Sequence, residues 1–409
     1  MRIQITAPES IRATIQLPAS KSISNRALVI NRMGGNVHRP ENLSDCQDTE
    51  VMIRALDKGP HEDIDVKAAG TAMRFLTALC ATMPGKRLIT GTGRMQQRPI
   101  KVLVDALRQL GADIEYAGNE GFPPLRICGS TLTEDHISLP GNVSSQYISA
   151  LLMIGPTMPH GLTIQLEGDI ISRPYIDLTL RLMEHYGAKA HWAGNRTLKV
   201  EPQPYRSVPL HVENDWSAAS YWYEIVALAK EATVTLPGLF EDSCQGDSKV
   251  AELFRPLGVE TLYGDKTVTL QKTGRTARRM EYDFIGQPDL AQTFVVTCAL
   301  MGIPFRFSGL QSLKIKETDR MAALIKEMAK LGFVIREEEG SILSWEGERC
   351  ERTDAPIDTY EDHRMAMAFA PACIVFPRGV RINDHEVVTK SYPTYWDTLR
   401  TAGFNIIKE

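Results

Sequence analysis

Hydrophobic and polar positions alternate along this chain in a pattern that recurs. Five segments read as the end of an amphipathic helix, a glycine, then a short strand: Leu110-Gly111-Ala112-Asp113-Ile114, Tyr186-Gly187-Ala188, Leu257-Gly258-Val259, Leu331-Gly332-Phe333-Val334-Ile335 and Ala402-Gly403-Phe404-Asn405-Ile406. Their glycines are 76, 71, 74 and 71 residues apart. Glycine is the expected residue there, because a helix commonly ends in a left-handed conformation that other residues adopt only against steric resistance. A second series runs from short strands into small or polar residues and then an apolar helical stretch. With Lys21, Thr71, Ser145, Trp216, Asp289 and His363 as markers, its intervals are 50, 74, 71, 73 and 74 residues. Two independent series with one spacing predict six copies of a strand-helix-strand-helix unit, the first shortened by about twenty residues between Asp57 and Val66. Six such units exceed one core, so two domains of three are expected, with a crossover near Glu213-Asn214-Asp215.

Composition narrows the class. Of 409 residues 43% are hydrophobic and 23% charged, an ordinary globular balance. The net charge of −4 leaves no global excess of cations to hold nucleic acid. Seven cysteines, with no C-x-x-C pair and no H-E-x-x-H, predict neither a disulfide framework nor a metal site. No signal-peptide core opens the chain, and the longest apolar stretch, Ala366 to Phe376, is far below the ~20 residues of a membrane span. The expectation is a cytoplasmic monomer with no cofactor, no metal, no nucleic acid and no membrane partner.

Within this acidic chain, cations gather at the predicted helix starts: Lys21 and Arg26, Arg74, Arg94 and Arg98, Arg173, Lys314, Lys316 and Arg320, Arg364, and Lys390. Helix N-termini attract anions through their free N–H groups. If the units of each domain are alike, these ends point one way, and two facing domains would enclose a positive cleft. In Lys316-Glu317-Thr318-Asp319-Arg320, helical i, i+4 spacing would put Lys316 and Arg320 on one face, an unfavourable pair unless an anion lies between them. Glu317 would then be close enough to exchange a proton with that anion.

The segments Lys21-Ser22-Ile23-Ser24-Asn25-Arg26, Gly70-Thr71-Ala72-Met73-Arg74, Arg94-Met95-Gln96-Gln97-Arg98-Pro99, Val143-Ser144-Ser145-Gln146, Ser172-Arg173-Pro174-Tyr175, Gln245-Gly246-Asp247, Lys316-Glu317-Thr318-Asp319-Arg320, Asp362-His363-Arg364 and Lys390-Ser391-Tyr392-Pro393 closely resemble, in this order, the enolpyruvyl transferases, and among them the 5-enolpyruvylshikimate-3-phosphate synthases. The resemblance covers essentially the whole chain. It implies a mixed α/β (α+β) fold, a two-domain inside-out α/β barrel with three βαβαββ repeats per domain. The first domain would span residues 21–213, and the second residues 1–20 and 214–409. The implied reaction moves the enolpyruvyl group of phosphoenolpyruvate to the 5-hydroxyl of shikimate 3-phosphate, in the shikimate pathway to chorismate and the aromatic amino acids. Glyphosate would be an inhibitor competing with phosphoenolpyruvate.

The same resemblance implies residue roles. Lys21, Ser22, Arg26, Ser144, Ser145, Gln146, Ser172, Tyr175, Asp289, Ser312 and Lys316 would hold shikimate 3-phosphate. Lys21, Gly70, Arg98, Gln146, Arg320, Arg364 and Lys390 would surround phosphoenolpyruvate, supported by Arg74, Arg94 and His363. Asp289, Glu317 and Lys21 would be catalytic, with Asp289 acting on the attacking hydroxyl and Glu317 protonating the methylene carbon. This chain departs from the family at Ala68 and Ser312, where asparagine is usual. It departs again at Trp216, which would narrow the cleft where smaller residues are usual. Two other readings remain at this point. One is the sister enzyme acting on UDP-N-acetylglucosamine, whose loop cysteine is absent from Gly93 to Pro99. The other is a non-catalytic phosphometabolite-binding relative, which would not need Asp289 and Glu317.

Overall fold

The computed structural model describes all residues, 1–409, and the chain forms two compact units. One comprises Ala19–Val212, the other Met1–Pro18 with Glu213–Glu409. No helix is long and apolar enough to cross a membrane.

In the Ala19–Val212 unit, two sheets have the same design. Ile64–Asp65 pairs parallel with Gly85–Thr90, which continues antiparallel through Leu125–Gly129 to Asp113–Tyr116. His136–Pro140, Leu162–Glu167, Thr197–Val200 and Ala190–Trp192 repeat that order and sense. The parallel pairs are joined by the helices Gly70–Thr82 and Ser145–Ile154, which are buried almost all round. The next helix in each copy is amphipathic: in Lys101–Gln109 only Leu103, Val104, Ala106 and Leu107 are buried, one face at helical spacing. The third copy keeps its helices, Lys21–Met33 and Gln47–Leu56, but its sheet shrinks to a single parallel bridge between Glu41 and His211. Between Leu56 and Ile64 the chain lacks the antiparallel strand pair that ends the other copies. The shortening expected there therefore removes strands and leaves both helices intact.

The other unit has three such sheets. They are Ile11–Thr14 with Ala232–Pro237, Thr267–Lys272 and Val259–Gly264; Met280–Asp283 with Phe305–Ser308, Ile342–Trp345 and Arg336–Glu338; and Val380–Asn383 with Arg2–Thr6 and Asn405–Lys408. The parallel first strand of the last sheet survives as one bridge, Ile357 to Ile382. Two N-terminal strands thus complete two sheets whose other strands come from beyond residue 213. The buried helices Trp216–Leu228 and Ala291–Leu300 run through the core of this unit.

Both sequence series correspond to structural events. Gly111, Gly187, Gly258, Gly332 and Gly403 all take φ between +83° and +100°. Lys21, Ser145, Trp216 and His363 each begin a helix, Thr71 is the second residue of one, and Asp289 lies in the short turn preceding another. Trp216 corrects an expectation. It is fully buried in the core, with its indole N–H donating to Glu213 at 2.7 Å, so its bulk does not line an opening.

Candidate active site

In the Ala19–Val212 unit, three helix starts carry the expected residues. Ser20 caps the Lys21 helix, and Lys21 Nζ reaches Asp48 at 3.2 Å. Arg26 is 2% exposed. It donates to Thr179 Oγ1 at 2.7 Å, Ser22 O at 2.9 Å, Ser149 Oγ at 3.1 Å and Tyr175 O at 3.5 Å, and lies over the Phe75 ring. Of the five N–H donors of a guanidinium at least four are therefore drawn into the protein, which makes Arg26 a clasp between helices before it is a ligand contact.

Gly70 opens the second helix, where a Cβ would lie 2.5 Å from Arg98 Nη1 and 2.8 Å from Arg74 Nη1. Two guanidinium groups thus lie against its Cα, and only a hydrogen side chain leaves room for them. Arg74 donates to Gly70 O at 2.9 Å and faces the Tyr147 ring, while Tyr147 donates to Pro99 O at 2.6 Å and pins the Arg98 segment. Gln146 donates to Thr71 Oγ1 at 3.1 Å, beside the capping Ser144 and the buried Ser145. Ser172 is buried and precedes its helix in left-handed geometry. Arg94 is on the exposed side of its loop.

In the other unit the geometry centres on Asp289. Its Oδ1 faces Lys316 Nζ at 3.4 Å and Arg320 Nη1 at 3.1 Å, and its Oδ2 accepts from Arg364 Nη2 at 3.0 Å. Asp362, fully buried, caps the next helix through Arg364 N at 2.9 Å and takes Arg320 in both hands, at 2.8 and 3.2 Å. Glu317 Oε2 accepts from His363 Nδ1 at 3.2 Å and Lys390 Nζ at 3.4 Å, and Lys390 also donates to Glu361 O at 2.6 Å. Ser312 sits half-buried on the turn Gln311–Ile315, and none of these contacts includes it.

One sequence inference fails here. Lys316 and Arg320 do not share a helix face, because Asp319 caps Ala322 N and the helix begins at Arg320. A strong N-cap overrides the apparent i, i+4 spacing. The anion expected between the two cations is present, however, and it is the protein's own Asp289.

The electrostatics follow from this packing. Burial opposes ionisation of Glu317, but His363, then Lys390 and Arg320, outweigh it and hold the carboxyl well below the usual range. Burial lowers Lys316 against the pull of Asp289, and the like charges of Arg320 and Arg364 add to the effect. Tyr221, absent from the sequence expectations, is pushed up to about 12 by burial and accepts from Arg364 at 3.4 Å. Glu317, Asp362 and His363 bring ligand-type atoms within 4.8 Å of one another. Arg320 and Arg364 N–H already occupy the Asp362 oxygens, and Lys390 adds charge, so this cluster suits an anion better than a metal cation.

Local strain positions several of these groups. Lys67, Ser172, Tyr360 and Glu361 take φ of 52°, 55°, 54° and 56°, shortly before the starts at Gly70, Arg173 and His363. Non-glycine residues in that region cost of order 1–3 kcal/mol each and persist only where the surroundings enforce them. At Tyr360 the enforcing partner is buried Glu327, which accepts the phenol hydroxyl and also Asp358 N at 3.0 Å.

The sequence profile described as EPSP synthase (3-phosphoshikimate 1-carboxyvinyltransferase) matches residues 57–399. The chain belongs to the EPSP synthase family. A curated 3-phosphoshikimate 1-carboxyvinyltransferase of Bacteroides fragilis is 60% identical over 407 residues, covering 99% of both chains. One from Neisseria gonorrhoeae is 36% identical, covering 97% of each. A solved structure titled EPSP synthase from Acinetobacter baumannii superimposes over the whole of both chains with a TM-score of 0.75 at 19% identity, which establishes the shared fold.

Proposed function

We infer that this chain transfers the enolpyruvyl group of phosphoenolpyruvate to the 5-hydroxyl of shikimate 3-phosphate, releasing phosphate, in aromatic amino acid biosynthesis. The observation that carries the chemistry is the pairing of two carboxylates with cations in one unit: Asp289 with Lys316, Arg320 and Arg364, and Glu317 with His363 and Lys390. Phosphoenolpyruvate is a poor electrophile until its methylene carbon gains a proton. Glu317 is held ionised at rest, so its proton arrives through His363 Nδ1, 3.2 Å away. A bound anion beside Glu317 favours the neutral carboxylic acid and moves a shared proton onto it.

The 5-hydroxyl oxygen then bonds to C2 of phosphoenolpyruvate as C3 takes the proton, and the hydroxyl proton passes to Asp289. In the second step Glu317 removes a proton from the new methyl group, the double bond re-forms, and the C2–O bond to phosphate breaks. Arg320, Arg364, Lys390, Lys21 and Arg98 stabilise the charge on the departing phosphate. Ser22, Ser144, Ser145, Ser172 and Tyr175 hold shikimate 3-phosphate, Gly70 and Gln146 border phosphoenolpyruvate, and the two compact units are the two transferase domains. All seven cysteines are free thiols, which supports a reducing compartment such as the cytoplasm.

A phosphate-release assay tests this reading. Release that requires phosphoenolpyruvate and shikimate 3-phosphate together is expected. Release with UDP-N-acetylglucosamine in place of shikimate 3-phosphate, or no release with either acceptor, would overturn it.

A further inference from the structure

One helix face grips the chain at two points just before His363. Arg320 and Glu327 are seven residues apart on the helix Arg320–Lys330, close to two full turns, and both are buried. Arg320 holds Asp362 at 2.8 and 3.2 Å. One oxygen of Glu327 accepts the Tyr360 hydroxyl, and the other accepts Asp358 N at 3.0 Å and faces Lys330 Nζ at 2.7 Å. Between the two grips, Tyr360 and Glu361 are successive left-handed residues, at φ of 54° and 56°. Neither is a glycine or an asparagine, so the turn persists only because its surroundings hold it.

The turn aims one backbone group at the site. Glu361 O accepts from Lys390 Nζ at 2.6 Å, and Glu317 Oε2 lies 3.4 Å from the same ammonium. An ammonium has three donors, so with two directed at these oxygens a third is left to meet an anion. Lysine carries its charge on a flexible four-carbon stem with no preferred direction of its own. The Glu361 carbonyl supplies that direction, and the carbonyl is fixed by the grip of Glu327 on Tyr360. We propose that Glu327 and Tyr360 are positioning residues for Lys390: by holding the left-handed turn they keep the Glu361 carbonyl on the ammonium and the ammonium ready for phosphoenolpyruvate. The proposal rests on the enolpyruvyl-transfer reading, in which Lys390 meets that substrate.

Tyr360→Phe keeps the ring, with the Lys326 ammonium 5.5 Å from its centre, and removes only the hydroxyl that Glu327 accepts. Steady-state kinetics should show KM for phosphoenolpyruvate raised about fivefold, with kcat and KM for shikimate 3-phosphate changed by less than about twofold. The deciding measurement is the same substitution made in Lys390→Met. There kcat/KM for phosphoenolpyruvate should match that of Lys390→Met alone within about twofold, because the group being positioned is gone. An equal loss in both backgrounds, equal rises in both KM values, or an unchanged KM for phosphoenolpyruvate in Tyr360→Phe would overturn the proposal. If Tyr360→Phe does not fold, Glu327→Gln takes its place in the same cycle: an effect on phosphoenolpyruvate that disappears in Lys390→Met sustains the proposal, and any other result ends it. No phosphate release from the unmodified enzyme would defeat the reaction reading and this proposal together, whereas normal release with losses that simply add defeats only the role given to Glu327 and Tyr360.

Discussion

Arg26 and Arg74 in one unit and Arg320 and Arg364 in the other are held by different kinds of partner. In Ala19–Val212, Arg26 donates to carbonyls and hydroxyls and lies over Phe75, and Arg74 donates to the Gly70 carbonyl and faces the Tyr147 ring. In the other unit Arg320 and Arg364 are held by the carboxylates of Asp289 and Asp362. Neutral acceptors orient a cation and leave its charge available to an incoming anion. Carboxylates cancel much of that charge, so an anion arriving there must exchange partners with groups that also carry protons. The first arrangement suits binding, and the second suits a coupling of binding to proton transfer. Charge-assisted hydrogen bonds are roughly twice as strong as neutral ones, so the exchange is energetically substantial.

The largest expected effect comes from removing the proposed proton carrier of the second arrangement. Glu317→Gln keeps the size of the side chain but cannot deliver or accept the proton, and kcat should fall by about a thousandfold. Both KM values should change only a few-fold, because Lys390 and His363 lose a partner without leaving their backbones. Steady-state kinetics checks this, and a near-normal kcat would mean that another group protonates the carbon.

A smaller effect should follow from Gly70→Ala in the binding arrangement. The new methyl group meets the tips of Arg98 and Arg74, which are flexible ends and not backbone, so the fold should persist while the guanidinium groups shift. Losing one well-aligned charge-assisted hydrogen bond amounts to about 1.5 kcal/mol, so KM for phosphoenolpyruvate should rise about tenfold. KM for shikimate 3-phosphate should stay near its original value. Equal rises in both would mean that Gly70 serves the whole unit and not one anion.

Much of this contrast could not be read from the sequence. Repeats and helix ends were legible because they depend on local chemistry: a left-handed terminus selects Gly111 or Gly332, and buried helices are apolar all round. Charged partners are set by tertiary contacts. Asp289 and Arg364 are 75 residues apart, and Asp48, Asp362 and Tyr221 showed nothing locally to mark them as partners of Lys21, Arg320 and Arg364. The strained residues Lys67, Ser172, Tyr360 and Glu361 are not glycines, so no residue type announced their backbone geometry. The Lys316–Arg320 spacing misled for a related reason: periodicity alone cannot say where a helix begins until its cap, Asp319, is recognised.

The same contrast between units extends into their cores, where the smallest effect is expected. Glu224 is fully buried in the helix Trp216–Leu228, whereas the matching repeat position in the other unit, on the Lys21–Trp216 register, is the apolar Val29. Neither Glu224 oxygen has a close hydrogen-bond partner, and burial raises its proton affinity well above the carboxyl range, only partly offset by Thr297 beside it. The folded chain therefore holds this proton more tightly than the unfolded chain. Stability should fall as pH climbs from the ordinary carboxyl range through the folded value. Glu224→Met fills a similar volume without the polar atoms and should stabilise the protein by about 1–3 kcal/mol. The gain should be larger at about pH 8.5 than at about pH 5.5, because the unmodified carboxyl contributes its penalty only where the unfolded chain would ionise it. Urea unfolding midpoints at the two pH values measure this directly. A gain independent of pH would mean that packing, and not the proton, sets the difference between Glu224 and Val29.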